Sequence, residues 1–550
     1  MTVQLHSTHD LPVNAAYDHW LAVTGTTGTL DPEHKLPNLA ARLEMAFMEI
    51  RPLWWKLAKD MGADPGSDYA RTPTATAFGS DFGVMLAWSK LVAELIDQNK
   101  SHLVICDDPW LFRHLASLPG IKSGRAPSIW LKQLFFLFRG LAARVKVAGL
   151  MAVSALLSRR YCKIFTSNAP TLLVYAHPRS TPQNNTQQRD EYFGNLMVEV
   201  PALKRLLHSD SSLTDIKRLC TDSRTAAIHA WGSALFALRL IMVKWKPSQA
   251  DRKRSYFWLI KRAAAIENGG GGPAMTCWQI HCQNRWLVDN HPSCVVWPWE
   301  NHAWERALCR SARQHKIRTI GYQHTVIGPH QINYATASNR DGLKSIPEIV
   351  IADGPAYAKE LRAWGIPEEQ LIIGGAFRFK QFDTDIYDPA GPVFMPLSSD
   401  HNVSRQQLEA ARHIAKTGRP VLVKAHPMYP MVIPEEKNLT RTEVPLAEQK
   451  ALSMVIYCTG TSGLDAVLHG LPTYRLQLED RIAIDVLPEG ISTPTVTLET
   501  IESIVQGHQS RPSISWDDIF STVDLKLWQD LLCIDNMPTE NLTSHYIKSQ

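Results

Sequence analysis

The chain has no cysteine pair at zinc-binding spacing. Its nine cysteines are scattered from Cys106 to Cys533, and their odd number argues against a disulfide framework. His281 and Cys282 beside Cys277 have no further ligands nearby in sequence and read as packing residues, so no metal site is expected and the compartment is expected to be reducing. Large charge excess is also lacking. Lys and Arg number 58 against 53 Asp and Glu, a net charge of +5, so a nucleic-acid partner is not expected. The opening "MTVQLHSTHDLPVNAAYDHW" lacks the basic-then-apolar layout of a secretion signal, and a cytoplasmic location is the expectation. No Lys-Ser/Thr follows the glycines of "ENGGGGPAMTCW" (Glu267–Trp278), which excludes a Walker phosphate loop; a second anion cradle and a flexible loop both remain open there. No internal repeat is apparent.

An uninterrupted apolar run of bilayer-spanning length is missing as well. The nearest, Trp130–Tyr161, is broken by Arg139, Arg144 and Lys146, which makes crossing expensive. Apolar residues mixed with Arg and Lys suit a helix lying in the interface of an anionic membrane, here the cytoplasmic face of the inner membrane. They equally suit a long helix packed on its own domain.

What is present is the size for two or three domains and an alternation of short apolar runs with helical patterns. "EIVIADGP", "QLIIGGAFRF", "GPVFMPLSS", "RPVLVKAHP", "SMVIYCTGTS" and "LPTYRL" read as buried strands with helices between several of them. That pattern predicts one Rossmann-like domain over residues 341–510. "HLVICDD", "KIFTSNAPTLLVYAHP", "SCVVWPWE" and "IRTIGYQH" predict a second over 1–340, with helical insertions near 130–160 and 200–265. Residues 511–550 are expected as a helix and tail packing across both. The fold class is α/β, two Rossmann-like domains facing across a cleft in which ligands bind at the carboxyl ends of the strands.

At two such ends lie candidate anion-binding residues. "MVIYCTGTSGLDAVLHGLP" passes from strand to helix through Thr459, Gly460, Thr461, Ser462 and Gly463. Unpaired N–H groups at a helix start, with glycine and hydroxyls, suit a phosphate; an ordinary N-cap is the alternative. "VLVKAHPMYP" puts Lys424, His426 and Pro427 at the end of another strand, taken to be adjacent, where an imidazole would steady a departing phosphate.

A strand ending in His-Pro, followed by a Ser/Thr motif at a helix start, resembles the donor-binding half of GT-B glycosyltransferases that use CMP- or CDP-linked donors: bacterial sialyltransferases, Kdo transferases and teichoic-acid glycerophosphotransferases. A wider similarity is to the bacterial surface-carbohydrate biosynthesis proteins, carried by "WPWENHAWERAL" (297–308), "RTIGYQHTVIGPHQ" (318–331), "EIVIADGPAYAKEL" (348–361), "DEYFGNL" (190–196) and "SDFGVMLAW" (80–88). The sequence departs from that family at His302, where an amide is expected. The resemblance implies metal-independent, cofactor-free transfer of a nonulosonate or Kdo-like sugar from a CMP-linked donor to a capsule or lipopolysaccharide O-antigen glycan. A nucleotide-sugar 2-epimerase, a glycerophosphotransferase and a non-catalytic assembly scaffold are the rival readings.

Glu300, just past "CVVWPW", is the leading candidate to act on the reaction, as base toward an acceptor hydroxyl or as nucleophile at the anomeric carbon. A helix-N-terminal carboxylate is its structural alternative. Trp297, Trp299 and Trp304 are sugar-stacking walls or core, and Glu305 is expected to be structural. His324 would assist Glu300. Asp353-Gly354 is either a donor contact or a turn, and Arg378 pairs with phosphate, carboxylate or a salt-bridge partner. Asp107-Asp108 resembles a metal pair, but a turn is the stronger expectation. Asp81, Asp190, His302 and Trp299 are secondary candidates on the acceptor side.

Overall fold

The computed structural model describes residues 3–533 except 13–15, 26–27, 29, 76–78, 162–167, 183–188, 249–254, 382–384, 428, 430 and 508. Its strands are short, apolar and almost entirely buried, which is what sheets covered by helices on both faces require. Every described pairing within the three sheets is parallel.

The first sheet joins β1 (Val3–His6), β2 (His19–Thr24), β3 (His102–Cys106) and β4 (Ile121–Ser123) in the order β2-β3-β1-β4. The second has β5 (Thr171–Val174), β6 (Lys204–Leu207), β7 (Thr225–Ala227), β8 (Cys294–Pro298), β9 (Arg318–Tyr322), β10 (Ile349–Ala352) and β11 (Leu371–Ile373), in the order β11-β10-β9-β8-β5-β6-β7. The third has β12 (Val393–Pro396), β13 (Val421–Lys424), β14 (Leu439–Arg441), β15 (Met454–Tyr457), β16 (Thr473–Leu476) and β17 (Thr495–Val496), in the order β14-β13-β12-β15-β16-β17. The second and third sheets are Rossmann-like and turn their carboxyl ends toward a shared cavity, the GT-B arrangement; the first sheet is an added body with its own core.

The boundary expected at 340/341 does not separate the sheets. Ile349 pairs with Ile320 and Val350 with Leu371, so β10 and β11 complete the second sheet, and the third begins at Val393. Residues 3–123, expected within one large amino-terminal Rossmann-like domain, make a sheet of their own. Alternating strand and helix patterns state that strands exist; backbone pairing across long sequence distances decides which sheet each joins.

After the third sheet the chain returns to the second. The helix Leu525–Cys533 sets Trp528 against Phe193, Tyr322 and Phe377, with its indole N–H donating to the Gly374 carbonyl at 3.0 Å. Gly354 permits this crossing: a Cβ there would lie 2.3 Å from the Ile519 carbonyl oxygen. The first body reaches both others through the helix Leu39–Met61. Its Trp55 donates to the Ile332 carbonyl at 2.8 Å, and its Glu44 pairs with Arg475 at 2.8 Å.

Candidate functional site

The site is built at the carboxyl ends of β8 and β9. β8 is buried throughout, and the Trp299 amide extends its pairing by donating to the Tyr322 carbonyl at 2.7 Å. Trp299 is itself fully buried, edge-on to Tyr334 at 5.2 Å, so it is core and not an acceptor wall. The chain then turns through Asn301 at φ +57, a conformation asparagine tolerates.

Three side chains lock that turn. Glu305 accepts from the Glu300 amide at 2.9 Å, Asn333 donates to the Glu300 carbonyl at 2.6 Å, and buried Arg306 donates to the Asn301 carbonyl at 3.0 Å. The "WENHAWER" run is therefore a self-clamping strand exit that aims Glu300. Burial pushes the Glu305 carboxyl up to about 7, with Glu300 adding to the shift and His302 opposing it.

Glu300 faces two imidazoles. Its Oε2 lies 2.8 Å from His302 Nε2 and its Oε1 3.8 Å from His324 Nε2, while 34 % of the side chain remains open to solvent. His302 Nδ1 is 3.3 Å from the Thr74 carbonyl, so both ring nitrogens meet acceptors, an arrangement that only the doubly protonated ring satisfies. Burial lowers the His302 value, but the Glu300 contact outweighs it and the net shift is upward. For Glu300, burial raises the value; the hydrogen bond from His302 and the charges of His302, His324 and Arg378 prevail and hold it at about 2. His324 is pushed down to about 4, mainly by burial, and is neutral at pH 7.

Of this trio His302 lines one cavity, and His324 connects through the Tyr192 ring and Arg378 to a second. One, of about 350 Å3, includes Tyr175, His208, Asp210, Gln279, His302 and Trp304 in its wall. The His208 ring stands 4.5 Å from Tyr175 and 4.8 Å from Trp304, centroid to centroid. The other, of about 500 Å3, lies between the second and third sheets. Arg189, Arg378, Lys380 and Arg179, the last paired with Glu191 at 2.5 Å, are on one side and face Glu448, Thr461 and Asp465 on the other. Arg378 lies over the Tyr192 ring at 5.4 Å, and that ring meets His324 edge-on at 5.1 Å.

Arg378 and Thr461 thus face one cavity and His302 the other, and Glu300 and His324 link them through the His302 contact and the Tyr192 ring. Gly460 and Ser462 flank Thr461 in the same turn; Thr459 is turned aside, its hydroxyl donating to Ser398 at 2.9 Å, and Gly463 packs on the Tyr457 ring. The expected adjacency of His426 to this turn is corrected: β12 lies between β13 and β15, and none of Lys424, His426 and Pro427 lines the cavity. Two strand spacings put those ends about 10 Å apart. The His426 ring stands 5.8 Å from that of Tyr429.

Asp353 is fully buried at the end of β10, where burial pushes its carboxyl well up, and Gly354 is taken by the returning chain; neither faces the cleft. Asp190 is buried against Arg205 at 3.6 Å and accepts from the Tyr192 amide at 2.9 Å, so it anchors the "DEYFGNL" turn. Asp81 is held by both Arg262 Nη atoms, at 2.8 and 2.7 Å. Arg262 Nε also reaches Asp108, which caps the helix Pro109–Ala116, while Asp107 accepts from Thr8. These carboxylates are structural. Among the described residues no group of three or more His, Cys, Asp or Glu is placed to hold a metal.

Tyr192, Arg179, Arg189 and Lys380 are the site residues that sequence reasoning passed over. Tyr192 lay inside a motif singled out for its aspartate, and the three cations belong to no motif.

No protein-family model matches this chain and no curated protein matches its sequence. Among solved structures it is similar to the UDP-N-acetylglucosamine 2-epimerase of Rickettsia bellii, at 12% identity over 70% of this chain and 96% of that one, with a TM-score of 0.34. It is also similar to S. aureus MnaA with UDP, at 11% identity over 68% and 99% of the two chains and a TM-score of 0.37. For the lipopolysaccharide outer core galactosyltransferase WaaB the figures are 10%, 69%, 99% and 0.32. The functional reading rests on the site geometry.

Proposed function

We propose that this protein is a GT-B glycosyltransferase that moves a sugar from a nucleotide-linked donor to a glycan acceptor, with the donor phosphate in the larger cavity. The observation that carries the reading is an ionised carboxylate, Glu300, held by His302 of the aromatic cavity and facing His324, whose ring contact with Tyr192 leads to Arg378 of the other cavity. Arg378, Lys380 and Arg189 offer charge to a leaving phosphate, and Thr461 adds a hydroxyl from the facing sheet. Tyr175 and Trp304 present ring surface to an acceptor sugar.

A carboxylate held at about 2 is a weak base at neutral pH. It is better suited to meet the positive charge that develops at the anomeric carbon, as nucleophile or as electrostatic partner. His302 keeps it ionised, and neutral His324 borders the same space. With Arg179 paired to Glu191, the cations Arg189, Arg378 and Lys380 are left to meet a donor's anionic groups, which a CMP-linked nonulosonate or Kdo-like sugar supplies through its phosphate and its carboxylate. Capsule or O-antigen glycan is the acceptor class that follows from the sequence resemblance.

A thermal-shift panel of CMP, CDP, UDP and GDP on wild type, Arg378→Ala and His426→Ala tests the donor assignment. CMP-selective stabilisation lost in Arg378→Ala and kept in His426→Ala is expected. Selective stabilisation by UDP would overturn the CMP assignment, and turnover of a UDP-sugar without any acceptor would favour the 2-epimerase reading.

A further inference from the structure

The helix Ile129–Ser158 runs 30 residues along the outside of the protein. Gly140, Arg144, Ala148, Met151, Ala155 and Ser158 make a buried stripe at three- and four-residue spacing, so the helix lies flat on the molecule and cannot stand across a bilayer. Its buried arginine is spent on that docking, and Arg139 also donates to the Gly269 carbonyl at 2.6 Å. Arg144 donates to the carbonyls of Ile241 and Asn268 at 2.9 and 2.8 Å.

The opposite face is apolar and open. Only 33 % of its most apolar stretch is buried, against the near-complete burial of a core helix. Phe135, Phe138, Leu150 and Leu156 are 57, 62, 52 and 54 % exposed. Beside it packs the short segment Ala234–Met242, whose Leu235 and Met242 are 78 and 79 % exposed. A continuous apolar surface of this kind is rare on a soluble monomer without a partner.

The charge around it names the partner. Between Asp108 and Asp190 the chain has no Asp or Glu and twelve Lys and Arg. Lys132, Lys146, Arg159 and Arg160 are exposed on the helix or at its end. An apolar face bordered by cations, with no carboxylate near in sequence, matches a bilayer of anionic lipid. A second copy of this chain would set the same cations against each other.

We propose that the long helix and the Ala234–Met242 segment form a docking face for an anionic membrane, with the helix in the plane of the interface. The buried side of the helix packs near the smaller cavity. Gly140 lets the Asn268 carbonyl approach so closely that a Cβ would lie 1.9 Å from it, and four residues on, Gly272 begins the helix whose first turn lines that cavity with Met275 and Thr276. If the reading of that cavity as the acceptor site holds, the acceptor comes to it as a lipid-linked glycan; this last step rests on the proposed function, and the docking does not.

Co-sedimentation of the full chain with phosphatidylcholine vesicles, with and without phosphatidylglycerol, tests the docking, alongside sedimentation velocity without lipid. Wild type is expected to bind the anionic vesicles at least about tenfold better than neutral ones and to lose that preference in high salt. Phe138→Glu with Leu235→Glu should abolish binding, and Lys132→Gln with Lys146→Gln should weaken binding to anionic vesicles selectively, both with unchanged circular dichroism. Failure of wild type to bind, or binding untouched by both variants, overturns the proposal. So does a salt-stable dimer that Phe138→Glu with Leu235→Glu converts to monomer. Vesicle binding without sugar transfer would leave the docking standing and remove only the lipid-linked acceptor.

Discussion

At the residue scale the Glu300–His302 contact decides the chemistry. Glu300→Gln keeps the shape and removes the charge, and is expected to cut kcat by about 100-fold or more while leaving the melting temperature within a few degrees, as donor-consumption assays and thermal melts would register. His302→Asn installs the amide that the resemblance leads one to expect. Without the imidazolium, the Glu300 value should climb from about 2, and the acid limb of the pH–rate profile should move upward with it. The contact also carries a stability signature. Glu300 is depressed below its ordinary 4.5, so its contribution is present above 4.5 and is lost as the pH falls through about 2. His302 is raised above its ordinary 6.5, so its contribution is full below 6.5 and is lost as the pH rises through the raised value. The melting-temperature gap between wild type and His302→Asn should therefore be widest between pH 4.5 and 6.5 and narrow on either side.

At the element scale, the crossing of the carboxyl-terminal segment over the second sheet is what its packing residues serve. Gly354→Ala places a methyl against the Ile519 carbonyl and the Phe520 backbone, neither of which is the free end of a side chain. A loss of about 1–3 kcal/mol in denaturant unfolding is expected. Trp528→Ala removes a fully buried indole and its hydrogen bond to Gly374, for which about 3–5 kcal/mol is expected by the same measurement. Arg262 ties the exit of β3 to Asp81 at the start of the helix Phe82–Ile96 and closes no reaction site, so Arg262→Met should destabilise the first body without changing nucleotide binding.

At the scale of the whole molecule, the second and third sheets share one cavity and a second lies beside the second sheet, with Glu300, the carboxylate proposed to react, linked to both through His302 and His324. The donor cavity draws one wall from the second sheet and one from the third, so nucleotide is expected to bridge them and slow their relative motion. Amide hydrogen exchange should fall in the segments around Phe377–Lys380 and Thr461–Leu468 on adding the preferred nucleotide, and should not fall in Arg378→Ala. The same view separates the two strand-end motifs that sequence reasoning had joined. With β12 between β13 and β15, His426 serves another part of the sheet edge than Thr461 does.

The existence and burial of the strands that carry the site were legible in the residues themselves, because an apolar run bounded by glycine, proline or hydroxyls reports its own burial. The placement of Glu300 and His324 side by side was legible for the same reason: each follows one of two predicted strands, which pair with each other. Sheet membership, the clamp of Arg262 on Asp81 and Asp108, the burial of Asp190 and Asp353, and the role of His302 were not. Each depends on a partner brought from far along the chain. Local sequence fixes periodicity and the chemistry available, whereas hydrogen-bond register and the desolvation of a charge are set only when distant segments meet.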